Sequence, residues 1–357
     1  MATGGQADGE TERPEEMLAR WGKDPRLVPY GGGNFGTPPD LLATDERLTV
    51  PTERFFMRSN GPVPALDPAT WRLRVSGVVG REMELSLADL RAMPATTLTA
   101  FLECAGNSRT AFEPLPEGTP WCNDAVGAAV WEGVPLGAVL DLAGVGAGAV
   151  DVVAQGGDMP GMRRGLPLPV ARDPETLLVL KMNGEDLSVA HGGPVRLLVP
   201  GWAGIASTKW LVGLEVLDRA FAGFWNADNY VFWTAAGEAV RPIREMPVKS
   251  IVVSPTAGAT LVAGRQTVRG YAWSGHGRVI RVEVSTDGGA SWGDAGLAEA
   301  RRRAWVRFEL PWDAAPGPAR ILSRATDERG LTQPTTPDWN AKGYQMNAVQ
   351  AVGVTVE

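Results

Sequence analysis

The sequence predicts an α+β protein: a mixed α/β domain over residues 51–244 followed by an all-β, immunoglobulin-like sandwich over residues 245–357, with residues 1–50 as an N-terminal arm. Three observations predict it. The chain has 357 residues, more than one ordinary core of about 100–200 residues accommodates, so two domains are expected. Its 44 Gly and 28 Pro punctuate the chain at short intervals, which favours strands and loops over long helices. After Pro247-Val-Lys249 the pattern changes from mixed to purely alternating, the mark of strands alone.

Each element has its own signal. Residues 1–50 are polar and rich in Gly and Pro, and are read as an arm that wraps the domain behind it. In Trp71-Arg72-Leu73-Arg74-Val75 apolar residues alternate with charged ones, which predicts a half-buried strand. Ser86 followed by Asp89 opens a capped helix, and a second helix around Leu136–Leu142 is expected to stop at Gly144. Val195–Val199, apolar apart from Arg196, predicts a buried strand ended by Pro200-Gly201. Further on, Ile280, Val282 and Val284 alternate with polar residues before Asp287-Gly-Gly turns the chain back towards Trp292. Val306, Phe308 and Leu310 repeat the alternation, as do Val352, Val354 and Val356, and several short strands in this order predict the sandwich.

Composition excludes several functions. With 44% hydrophobic and 21% charged residues the chain is globular, and its net charge of −7 argues against a nucleic-acid surface. No apolar run approaches a membrane span of 18 or more residues, and the first residues carry neither an apolar leader nor a twin arginine, so a cytoplasmic protein is expected. Two cysteines, Cys104 and Cys122, and two histidines, His191 and His276, are too few for a zinc ribbon, an iron–sulfur site or a polyhistidine centre.

The most informative stretch is Phe101-Leu-Glu-Cys104-Ala-Gly-Asn-Ser-Arg109. A strand-like entry followed by Ala-Gly-Asn places Cys104 on a tight turn, and Arg109 is a cation able to lower the thiol pKa. This turn resembles the hallmark of the sulfite oxidase family of molybdopterin-dependent oxidoreductases, in its haem-free form. Four more motifs follow the family order. Phe55-Phe-Met-Arg58-Ser59-Asn60-Gly-Pro-Val-Pro resembles the opening arginine motif, and His191-Gly-Gly-Pro-Val-Arg196 the pterin-binding strand. Lys209-Trp210-Leu211 comes at the family spacing, and Gly270-Tyr-Ala-Trp-Ser-Gly with Asp287-Gly-Gly-Ala-Ser-Trp292 resembles the dimerisation domain.

The resemblance implies the site. Cys104 would be the protein's thiolate ligand to molybdenum, a soft donor for a metal otherwise held by dithiolene sulfur. Cys122 carries no such implication. Arg58 and Arg109 would bind an oxyanion substrate, Trp121 would wall the pocket, and Tyr230, 21 residues past Lys209, would be the catalytic phenol. Lys342, in Trp339-Asn-Ala-Lys342-Gly, stands where the family has an arginine reaching in from the second domain. For the pterin, His191, Arg196 and Lys209 are implied donors to phosphate and ring, joined by Ser207 and Thr208. Arg58, Ser59, Asn60 and Asp158 complete the implied cofactor contacts, Asn60 at a position where many relatives have His.

The expected function is oxidation of sulfite to sulfate at one Mo-molybdopterin per chain, in a homodimer, with no haem on the chain and electrons passed to an external one-electron acceptor such as a cytochrome c. The alternatives are reduction of nitrate or a sulfoxide by the same centre, and a non-catalytic binding or scaffold protein built on the sandwich.

Overall fold

A computed structural model describes residues 12–43 and 48–357; the remaining part of the predicted arm, residues 1–11 and 44–47, lies outside the described residues. Among the described residues the regular structure is mostly strand, with a few short helices. Two five-stranded sheets build its first half. One runs Glu185–Asp186, Leu177–Met182, Val126–Pro135, Thr96–Glu103, with Arg196–Leu198 also paired to Leu177–Met182. The other runs Met83–Ser86, Arg72–Gly77, Leu211–Leu217, Asp151–Gly156, Arg163–Pro167. Leu73, Val75, Val134, Leu178, Leu197 and Leu214 meet in one buried core, as the alternation at Arg72–Val75 predicts. The helix Leu87–Ala92 is closed by a reciprocal Ser86–Asp89 capping box, worth about 1 kcal/mol. Leu136–Ala143 stops where Gly144 takes the left-handed conformation at φ 67°.

The second half is a sandwich. Lys249–Ser254, Gly264–Trp273, Val306–Ala314 and Gly296–Leu297 form one sheet. Thr260–Leu261, Ala351–Val356, Gly317–Asp327, Val279–Ser285 and Gly293–Asp294 form the other, and Val268, Val282, Phe308, Ile321 and Val354 fill the space between. One expectation is corrected. Ile280 is 57% exposed, because a bulge between Val279 and Arg281 shifts the register and places Val279 in the core instead.

The arm touches both halves. Its short helix Pro14–Arg20 and the pairing of Val28–Pro29 with Phe35–Gly36 pack through Leu18, Leu27 and Phe35 onto Met57 and Ala190. Its last helix, Pro39–Ala43, lies beside strand Lys249–Ser254 of the sandwich. The two halves share a core in which Phe101 and Trp131 meet Trp273 and Trp305.

Candidate active site

Strand Thr96–Glu103 delivers Cys104 to its turn. Side chains alternate along it, so Leu102 and Cys104 face a cavity of about 720 Å³ while Phe101 and Glu103 face the sandwich. The turn is closed by Asn107 N–H to Cys104 C=O at 2.9 Å, and Cys104 N–H donates to Ala125 C=O at 2.9 Å. Asn107 Oδ1 accepts from Ala125 N–H at 3.0 Å, which fastens the turn to the neighbouring segment. Gly106 leaves the room that the Arg109 guanidinium occupies, since a β-carbon there would push that guanidinium aside.

The far wall of the cavity is cationic. Arg196 donates to the carbonyls of His191 and Ser207, both at 2.9 Å, and Lys209 Nζ donates to Ser59 Oγ at 2.6 Å. From the arm, Lys23 Nζ reaches His191 Nε2 at 2.9 Å and donates to Phe55 C=O at 2.8 Å. Burial, reinforced by the neighbouring Lys23, Lys209 and Arg196, holds the His191 imidazole well below its usual pKa. Burial beside Arg196 likewise pushes Lys209 well down, although Asp158 opposes it, and burial brings Arg196 to about 9 and Lys23 to about 7. Asp158 is the acidic side chain on this wall, and desolvation pushes its carboxyl up.

A second cavity of about 650 Å³ opens on the other side of Cys104. Arg58, Asn60, Cys104 and Tyr230 line both cavities and form the boundary between them. Arg58 donates to Asn60 Oδ1 at 2.5 Å, and Asn60 Nδ2 donates to the Tyr230 hydroxyl at 3.4 Å. Arg109 is threaded across the boundary of the two halves. Its Nε donates to Lys342 C=O at 3.0 Å, its Nη1 to Thr119 C=O, and its guanidinium lies 5.7 Å from the Tyr344 ring centre. A β-carbon on Gly343 would come within 2.7 Å of Arg109 Cγ, so glycine lets this arginine through.

Comparison with known proteins places this arrangement. Residues 60–225 match the oxidoreductase molybdopterin binding domain and residues 240–357 the Mo-co oxidoreductase dimerisation domain. Arabidopsis thaliana sulfite oxidase is 30% identical over 373 residues, covering 92% of this chain and 94% of that protein. The chain belongs to the sulfite oxidase family. Human mitochondrial sulfite oxidase is 38% identical over 351 residues, covering 90% of this chain; the match spans 64% of the human protein's length. The sulfane dehydrogenase SoxCD of Paracoccus pantotrophus superposes with a TM-score of 0.84 at 28% identity, covering 99% of this chain and 93% of that one.

The residues fit the group that a sulfite oxidase family member would carry. Arg196, Lys209 and His191 crowd one wall with Lys23 behind them, and the buried Thr208 Oγ1 and Asp158 Oδ1 have no hydrogen-bond partner: cations and a hydroxyl suited to an anionic group, and a carboxylate oxygen suited to accept from a polar N–H. Among the described residues no three His, Cys, Asp or Glu side chains converge on a metal position, so a metal beside Cys104 would bring most of its donors with it. Arg196 and Lys209 would hold the pterin's phosphate, with hydroxyls from Ser59, Ser207 and Thr208 nearby and Lys23 behind His191.

All the predicted site residues line one cavity or the other, and two details differ from the sequence reading. Arg58 lines both cavities together with Cys104, whereas Arg109 lines only the second and directs Nε and Nη1 to the Lys342 and Thr119 carbonyls. Lys342 faces the second cavity, but its ammonium pairs at 3.8 Å with the exposed Glu117 at the rim. Cys122 is exposed and lines neither cavity, and His276 sits in the sandwich with its N–H on Ser274 Oγ. Lys23, Asn34 and Tyr344 were not legible. Asn34 Oδ1 accepts from Ser59 N–H at 2.8 Å and from Arg58 at 3.3 Å, and Tyr344 stacks on Tyr230 with ring centres 5.1 Å apart. No local motif marks any of the three.

Proposed function

We propose that this chain is a molybdenum–molybdopterin oxidoreductase that oxidises sulfite to sulfate, with Cys104 as the protein's ligand to the metal. The observation that carries the reading is the meeting of two cavities at Cys104, one lined by cations and orphaned polar atoms, the other by arginines and aromatic rings. When bound, the molybdenum centre supplies an exchangeable oxygen and accepts two electrons. The balance is sulfite plus water giving sulfate, two protons and two electrons.

The chain's own residues do the rest. Arg58, together with the Nη2 end of Arg109 that the Thr119 and Lys342 carbonyls leave over, holds the oxyanion through charged, planar donors. Tyr230 Oη, joined to Arg58 through Asn60, is placed to hold a proton at the boundary of the two cavities. Trp121 and Tyr344 keep water from the aromatic side of the pocket. Residues 245–357 pair two copies into a homodimer, in keeping with the description of the matching family, and residues 51–244 form the catalytic domain. Electrons leave singly to an external carrier, and the net charge of −7 favours a basic one such as a cytochrome c. Among the described residues no helix is long and apolar enough to cross a membrane.

The test combines metal analysis with assays of sulfite against ferricyanide and of nitrate against reduced viologen. One molybdenum per chain and sulfite-dependent reduction of ferricyanide, both lost in Cys104→Ser, are expected. Protein without molybdenum, or molybdenum protein active only with nitrate, overturns the reading.

A further inference from the structure

The back of the cysteine turn is held by the sandwich. Glu103, directly before Cys104, and Lys249, the first residue of the first sandwich strand, are each 1% exposed and face one another at 3.5 Å. Glu103 Oε2 accepts from Trp273 Nε1 at 2.7 Å, and Oε1 accepts from Asn107 Nδ2 at 2.9 Å. Lys249 Nζ also donates to Ser108 Oγ at 2.6 Å, and the Ser108 hydroxyl in turn donates to Asn123. Ser108 sits in the left-handed region at φ 66°, a conformation that a non-glycine residue keeps only where its surroundings hold it. Lys249 therefore grips the turn at both ends, through the residue before Cys104 and through the residue after Asn107.

Desolvation acts on both partners. It pushes the Glu103 carboxyl up and Lys249 down, and each ion opposes the shift in the other. A buried pair of this kind is a weak source of net stability, so packing alone does not explain it; a residue whose loss leaves the other charge stranded beside a functional turn specifies geometry instead.

We propose that Lys249 is a positioning residue for Cys104: the sandwich sets the direction of the thiol through Glu103 and Ser108, so the site on the first half is completed only when the second half is docked. Its use in catalysis rests on the reading of Cys104 as the metal ligand, but the positioning itself does not.

The probe is alkylation of Cys104 by iodoacetamide in the full chain purified free of pterin, with Cys122→Ser in the background. Lys249→Met should raise the alkylation rate at least fivefold. Glu103→Gln/Lys249→Met, which leaves no stranded charge, should fold even if the single variant does not and should still react at least threefold faster than the parent, because Ser108 and residue 103 have both lost the ammonium that ties the turn to the sandwich. Trp305→Phe loosens the same interface at a site away from the turn, where the indole N–H donates to Leu48 C=O at 2.6 Å, and should leave the rate within twofold of the parent. Parental rates in both Lys249 variants overturn the proposal, as does equal acceleration by Trp305→Phe. Failure of the metal assays with these rates as expected would overturn only the catalytic reading.

Discussion

Two lysines lie deep in this protein in opposite circumstances. Lys249 is sealed at the boundary of the two halves with a carboxylate, a hydroxyl and an indole face around it. Lys209 opens onto the cavity wall, where the Ser59 hydroxyl and the Trp210 ring face are its contacts, no carboxylate among the described residues is hydrogen-bonded to it, and Arg196, Arg58 and Lys23 repel its charge against the attraction of Asp158. The first cation is answered within the protein, and the second waits for an anion from outside. Buried charge is thus a structural device in one place and an unfinished binding site in the other.

The strongest way to break this contrast is to remove each charge. Lys249→Met strands the Glu103 carboxylate, which should cost about 3–5 kcal/mol of stability, while Lys209→Met in pterin-free protein should cost under about 1 kcal/mol, because it relieves repulsion among cations. Urea unfolding of the two variants measures this, and equal losses would erase the distinction. Ligand binding reverses the ranking. Arg196→Gln and Lys209→Met each remove a charge-assisted donor worth about 1.5–3 kcal/mol, so pterin affinity should fall by about one to two decades. Molybdenum and pterin content per chain reports it.

The pH dependence sharpens the same point. Lys23 is brought from its usual 10.5 to about 7, chiefly by burial, with Glu53 opposing. Between those values the unfolded chain binds more protons than the folded one, so pterin-free protein should gain stability as the pH rises from 7 towards 10, by up to about 1.4 kcal/mol per pH unit. The depressed His191 acts in the same sense below its usual range, where stability falls as the imidazole is forced to charge. A bound anion favours the charged forms and should flatten both slopes. Burial depresses Lys209 and Lys249 as well, so thermal melts of Lys23→Met should show a shallower rise above pH 7 rather than none, and a parental slope would remove Lys23 from this account.

The smallest effect belongs to the rim. Lys342 is partly exposed and its partner Glu117 almost wholly so, a pair in the range of about 0–1 kcal/mol. Lys342→Ala should change the Michaelis constant for sulfite less than fivefold, and less still in high salt. A change of two decades would show that the ammonium turns inward to the substrate.

Much of this was legible along the chain, because the signals are local. The capping box at Ser86 and Asp89, the stop at Gly144 and the alternation at Val306, Phe308 and Leu310 depend on neighbours a few residues away. The same holds for the turn around Cys104, whose Gly106 and Asn107 close it within the motif. Ile280 shows the limit, since its period-two pattern is sound and a single bulge still moves it outward.

The sequence by itself determined the family, the two-part α+β architecture and those cavity-lining residues that lie in its motifs, because the motifs are contiguous and their chemistry is carried by residue type. Only the tertiary structure decided that Arg58 lines both cavities, that Lys23 joins His191, that Tyr344 stacks on Tyr230, and that Lys249 grips the Cys104 turn. Those partners arrive from distant segments, and their roles depend on distance and desolvation. A run of residue types records neither quantity until packing brings the segments together.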